Sequence, residues 1–154
     1  MVNVRILRVD GSDSTIPLPV YQSQNSSGCD LHANLKLEQQ KSGIIIPKSS
    51  WQLVPTGLAI VLPEGFEAQI RSRSGLALYH GITVMNSPGT IDSDYRGEVG
   101  VILLNQGTDD YLINHGDRIA QLVIAQTSQV KWATINELPH TERGENGFGS
   151  TGRD

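Results

Sequence analysis

The sequence predicts an all-β fold, and three observations carry that prediction. Sixteen glycines and seven prolines are spread through the chain as punctuation between short apolar runs. No amphipathic pattern lasts the roughly ten residues or more that a helix needs. Phe66, Ala68 and Ile70 alternate with Glu67, Gln69 and Arg71, the period of a strand with one face buried and the other wet.

Taken in order, the apolar runs place strands at Val2–Leu7, Ile44–Ile46, Trp51–Val54, Leu58–Leu62, Phe66–Ile70, Ile82–Val84, Val99–Leu104 and Ile119–Ala125. Their spacing suits a jelly roll or barrel. One short helix is expected at Ser74–Tyr79. At 154 residues the chain fits a single domain that buries roughly two thirds of its unfolded surface, without need of disulfides. The domain is expected to span 1–138. From 139 to 154 the chain has one large apolar residue, Phe148, and five formally charged ones. Such a segment cannot offset its own ordering entropy. It is either a disordered terminus without a role or a mobile arm that orders over a ligand, with Phe148 as a stacking ring and Arg143, Ser150 and Thr151 as phosphate donors.

Composition excludes several classes. A net charge of -4 argues against a duplex-binding surface, so no nucleic-acid partner is expected. The longest apolar runs, such as Leu58–Leu62, are far too short to span a bilayer, so no membrane partner is expected either. Cys29 is the one cysteine, which rules out an intrachain disulfide and favours the cytoplasm, with the nucleus left open. Cys29 is read as a small buried hydrophobe. His32, His80, His115 and His140 are scattered, none within five residues of another, which disfavours zinc. Magnesium asks only for one or two carboxylates beside substrate phosphates, so Asp30 or Asp92 near a triphosphate would suffice.

The densest chemistry lies in Asn86–Glu98, where Pro88 and Gly89 force a turn and Asp92, Asp94 and Glu98 accompany Tyr95 and Arg96. Its plain reading is a β-hairpin with a solvated acidic loop. Its functional reading is a rigid turn that presents one carboxylate to a water. Asp92 follows the apolar Ile91 and is expected to be the less exposed carboxylate; Asp94 is expected at the surface. In Arg71–Ala77, two guanidinium groups and two hydroxyls precede a helix start, which suits phosphate oxygens, while Ser74 also reads as a simple N-cap.

Five segments in order, Ser27–Ala33, Arg73–Ala77, Asn86–Gly97, Gly116–Ile124 and Arg143–Gly152, resemble the homotrimeric dUTPase family. The resemblance implies a distorted jelly-roll β-barrel with one short helix and a flexible C-terminal arm. It implies hydrolysis of dUTP to dUMP and pyrophosphate, with Asp92 activating the water that attacks the α-phosphorus. It makes Asp30 the carboxylate that holds water on a magnesium ion carried by the three phosphates. Arg73, Ser74, Gly75 and Gln121 would position phosphates and water. Asn86, Gly89, Thr90 and Ile91 would bond uracil, and Tyr95 would pack under the deoxyribose and exclude ribose. Arg143, Gly149, Ser150 and Thr151 would meet the γ-phosphate end, with Phe148 stacked on the base. A homotrimer with shared sites is implied as well. Cys29 stands where the family commonly has an aromatic residue, so altered packing is expected there.

A dCTP deaminase, or a bifunctional deaminase and diphosphatase, on the same barrel is the closest rival, but Ile91–Tyr95 resembles the hydrolase form. A nucleotide sensor or protein-interaction module without turnover would need a lesion among Asp30, Arg73, Asp92 and the C-terminal arm, and none is present.

Overall fold

The computed structural model describes residues 2–146. Alternation is realised as strand after strand: β1 Arg5–Arg8, β2 Cys29–His32, β3 Ile44–Ile46, β4 Trp51–Pro55, β5 Leu58–Val61, β6 Phe66–Arg71, β7 Ile82–Val84, β8 Gly89–Ile91, β9 Gly100–Asn105, β10 Tyr111–Ile113 and β11 Arg118–Gln126. Among the described residues one helix, α1, covers Ser74–His80, and Leu37–Gln39 form a single 3-10 turn. In β6, Ala68 and Ile70 are buried and Arg71 is exposed; in β9, Val101, Leu103 and Asn105 are buried.

All the pairings are antiparallel. The largest sheet runs β2-β11-β6-β8, a second runs β4-β9-β7, and β1-β5 and β3-β10 close the remaining sides. Leu31, Ile46, Val54, Val101, Leu103, Ile113 and Ile119 from these sheets meet Leu35 in one core. Buried polar groups in it are bonded, as they must be. Asn105 donates from Nδ2 to the carbonyls of Ile46 and Asp109, both at 2.9 Å, and Thr56 donates to the Val99 carbonyl at 2.5 Å.

Several sequence expectations need correction. The first strand occupies Arg5–Arg8, not Val2–Leu7, because only these residues find partners in β5. Strands β2, β8 and β10 were not foreseen. Asn86–Glu98 is not a hairpin of mutually paired strands. Strand β8 pairs with β6, whereas β9 pairs with β4 and β7, so the loop crosses from one sheet to another. Ser74 is not the N-cap of α1; Arg73 is, in extended conformation, and Ser74 is the first helical residue. The helix also runs one residue further than Tyr79, to His80.

The N-terminal segment is fastened through Asp13. Its main chain exchanges bonds with the Asn34 amide, both at 2.9 Å, and its carboxylate accepts from Thr15 N at 2.8 Å and Thr15 Oγ1 at 2.7 Å. His115 Nδ1 accepts from Leu35 N at 3.0 Å, which leaves Nε2 to donate to Asp13 Oδ2 at 3.1 Å. The Thr15 and His115 bonds hold the Asp13 carboxyl at about 2, below the usual carboxylate range. A depressed acid stabilises the fold when it is ionised. That contribution is complete above about pH 4, where the unfolded carboxyl is also ionised, and fades as the pH falls towards about 2. Asp13→Asn is therefore expected to flatten the fall in melting temperature over that window, measured against the native chain by thermal unfolding across pH.

Candidate active site

The candidate residues gather in two clusters on the largest sheet. The first sits where β2, β11 and the end of β6 lie side by side. Asp30 pairs across the strands with Gln121, and Gln121 pairs with Arg71. The Asp30 carboxylate lies between two guanidinium groups, with Arg73 Nε at 3.4 Å from Oδ1 and Arg118 Nη1 at 3.2 Å from Oδ2. Arg73 Nη1 in turn donates to the Arg118 carbonyl at 2.8 Å. Two cations against one carboxylate leave a local positive excess, which suits a polyphosphate.

Gln121 Nε2 donates to the Ser72 carbonyl at 3.0 Å, which fixes the side-chain amide at the end of β6. Gly28 makes that placement feasible, since a Cβ there would stand 2.8 Å from Gln121 Oε1. Ser74 and Gly75 follow Arg73 on the exposed first turn of α1. Arg118 and His32 belong to this cluster and were missed as site residues. His32 stands opposite Arg118, and its buried Nδ1 has no hydrogen-bond partner among the described residues. Burial pushes the His32 imidazole below its usual range, with Asp30 opposing that shift and Arg118 and Arg73 adding to it. The available signal for Arg118 was its place in Gly116–Ile124, one of the five matched segments.

The second cluster surrounds a recess of about 170 Å³. Asn86, Gly89, Thr90, Ile91, Asp92 and Tyr95 all line it, over a floor that includes Ile70 and Val99. Asp92 is exposed, as are Asp94 and Glu98, so none of the three carboxylates is buried. Alternation gives the reason: Ile91 turns inward and its neighbour outward. Asp94 sits in a turn at the surface, as expected, closed by Tyr95 N donating to the Asp92 carbonyl at 3.2 Å.

The carboxylates of the two clusters are far apart in one chain. Asp92 follows Ile91, which pairs with Ala68, so it stands near Glu67 of β6, whereas Asp30 reaches β6 at Arg71. Four residues along β6 are roughly 13 Å, and the three strand spacings from β8 to β2 are roughly 14 Å. Asp92 and Asp30 are thus separated by on the order of 20 Å. Arg143 joins neither cluster by a hydrogen bond among the described residues; it is exposed, and its Nε donates to the Asn146 carbonyl at 2.9 Å. Phe148, Gly149, Ser150 and Thr151 lie outside the described residues.

Cys29 is buried and free, as the sequence suggested, and burial pushes its thiol up. It lines an apolar cleft of about 530 Å³ with Tyr21, Phe66 and Leu122.

A jelly-roll-like barrel with a cationic sheet edge and a small carboxylate-rimmed recess defines a class, the all-β barrel proteins with a surface suited to anions. Comparison narrows the class to a family. The dUTPase family model matches residues 14–152. A deoxyuridine 5'-triphosphate nucleotidohydrolase of Anaplasma marginale is 51% identical over 152 residues, covering 99% of each chain. One from Roseobacter denitrificans is 47% identical over 154 residues, covering 100% of this chain and 99% of its own. Among solved structures, a Staphylococcus bacteriophage 80alpha dUTPase mutant with dUpNHpp superposes with a TM-score of 0.83 at 21% identity, over 98% of this chain and 99% of that one. A mutant dUTPase from phage phi11 of S. aureus, described with a structural Mg(II) ion, gives 0.74 at 18% identity, over 90% and 99%. The chain belongs to the dUTPase family, and its enzyme class is dUTP diphosphatase.

Proposed function

We propose that this chain hydrolyses dUTP to dUMP and pyrophosphate, with magnesium, by attack of water on the α-phosphorus and with Asp92 as general base. The observation that carries the reading is the convergence of Asn86, Gly89, Thr90, Ile91, Asp92 and Tyr95 on one recess. The main chain at Gly89–Ile91 and the Asn86 amide bond the uracil edge, and Tyr95 packs under a sugar that lacks a 2'-hydroxyl. Cytosine would present mismatched donors there, and unpaired buried polar groups make such discrimination steep. The activity would keep uracil out of DNA and supply dUMP for thymidylate synthesis.

Arg73, Ser74 and Gly75 hold phosphate oxygens, and Gln121 positions the attacking water. The donor chemistry at Asp30 fits magnesium in an indirect role. Both its oxygens already face guanidinium groups, so the carboxylate is better placed to hold the ion's water than to replace it. When bound, the ion would neutralise charge on the phosphates. Arg118, beside Asp30, adds a third polar anchor at the same edge.

The wide separation of Asp92 from Asp30 supports a homotrimer with shared sites. A base must reach its proton directly or through one water, over roughly 3 Å per hydrogen bond, which supports drawing Asp92 and the Asp30 edge of one site from different chains. Val130, Trp132, Ile135 and Leu138, each more than 60% exposed, offer apolar surface for such packing. In this reading residues 139–154 are an arm that closes over the neighbouring site, bringing Arg143, Ser150 and Thr151 to the γ-phosphate, Gly149 alongside, and Phe148 onto uracil. The protein acts without nucleic-acid or membrane partners, in the cytoplasm with the nucleus left open; no described helix is long and apolar enough to cross a membrane.

The test is pyrophosphate release with magnesium from dUTP, dCTP, dTTP and UTP in parallel, with ammonia followed in the dCTP sample. Pyrophosphate from dUTP alone is expected. Ammonia from dCTP, or binding of dUTP without turnover, would reject this reading in favour of a deaminase or a sensor.

A further inference from the structure

The segment between β8 and β9 carries both Asp92 and Tyr95, yet it belongs to no sheet, so something other than strand pairing must hold it. Arg96 closes it upon itself, its Nη1 donating to the carbonyls of Ser93 and Tyr95, both at 2.7 Å. Glu98 ties it to the barrel: its Oε1 accepts from Gly57 N at 2.7 Å, in the turn between β4 and β5. That turn cannot shift to follow the loop. Gly57 is buried with φ 69, and the space beside its Cα is filled by Ser12 and Asn34. Just beyond Glu98, Val99 N donates to the Leu58 carbonyl at 2.7 Å.

Tyr95 depends on the same residue. Its hydroxyl donates to the Glu98 carbonyl at 3.1 Å. Its ring lies so close over Gly97 that a Cβ there would overlap the phenol edge. The ring is thus fixed from below by a bare backbone, at its tip by the Glu98 carbonyl, and through the Glu98 carboxylate by the barrel itself.

We propose that Glu98 is a positioning residue for sugar selectivity, holding Tyr95 where a 2'-hydroxyl would collide with it, and that Gly97 is the complementary seat of the ring. This rests on the reading of Tyr95 as the sugar-facing residue. Exclusion by shape needs a wall that does not yield, because a ring free to retreat by a fraction of a bond length relieves the overlap with one extra oxygen. The Glu98 bond to Gly57 removes that freedom.

The experiment compares kcat/KM for dUTP and UTP in the native enzyme and in Tyr95→Leu, Glu98→Ala, Glu98→Gln and Gly97→Ala, each first shown to melt cooperatively. Glu98→Ala and Gly97→Ala are expected to lower the dUTP-to-UTP ratio by about tenfold, chiefly by raising the rate with UTP. Glu98→Gln keeps an oxygen to accept from Gly57 N and is expected to stay within about twofold of the native ratio. A merely structural role would depress both substrates alike. Equal losses on both substrates in Glu98→Ala, or an unchanged ratio in Gly97→Ala, would overturn the proposal while leaving the role of Tyr95 intact. An unchanged ratio in Tyr95→Leu would overturn the sugar reading itself, and the proposal with it.

Discussion

Asp92→Asn is expected to lower kcat by about 10²- to 10⁴-fold, the share ordinarily owed to a general base, while dUTP still binds. The amide matches the carboxylate in shape but cannot take a proton from water at neutral pH. The loop would keep its form, because the bond from Tyr95 N goes to the main-chain carbonyl of residue 92 and not to its side chain. Binding would be unchanged or somewhat tighter, since an exposed carboxylate no longer faces a triphosphate. Single-turnover rates and equilibrium titration with dUTP separate the two quantities. A variant that turns over at the native rate would overturn the base assignment and direct attention to Asp94 or to the Asp30 edge.

That assignment shows what sequence can and cannot reveal here. Runs such as Ile44–Ile46 and Ile82–Val84 were legible because β-branched residues fill them. Cys29–His32 was not: it alternates, with Cys29 and Leu31 inward and Asp30 and His32 outward, but over four residues that is too little for the period to register. Gly89–Ile91 and Tyr111–Ile113 are three residues each, too short for a period to register. The mispredicted hairpin has a different cause. Which strands pair is settled by the whole sheet, and nothing local in Asn86–Glu98 announces that β8 goes to β6 while β9 goes to β4 and β7. The exposure of Asp92 was legible in principle, because the alternation that buries Ile91 turns the next residue out. Arg118 illustrates the limit: its approach to Asp30 follows a register shift between Arg118 and Ala120 on β11, which no residue type nearby signals.

The same sheet geometry yields the second large effect. Arg73→Ala removes one of the two guanidinium groups facing Asp30 and is expected to cost about 10²- to 10³-fold in kcat, as loss of a charge-stabilising donor does. Co-expressed with Asp92→Asn at equal levels, however, this inactive chain should restore activity. If a site draws Asp92 from one subunit and Arg73 from another, random assembly leaves about a quarter of sites with both groups intact. If both groups came from one chain, every site would keep one lesion and the mixture would remain as inactive as its parents. Rescue to about a quarter of native kcat therefore requires sites shared between subunits. The absence of rescue would mean that Asp92 and Asp30, although on the order of 20 Å apart, are brought together by a rearrangement within one chain.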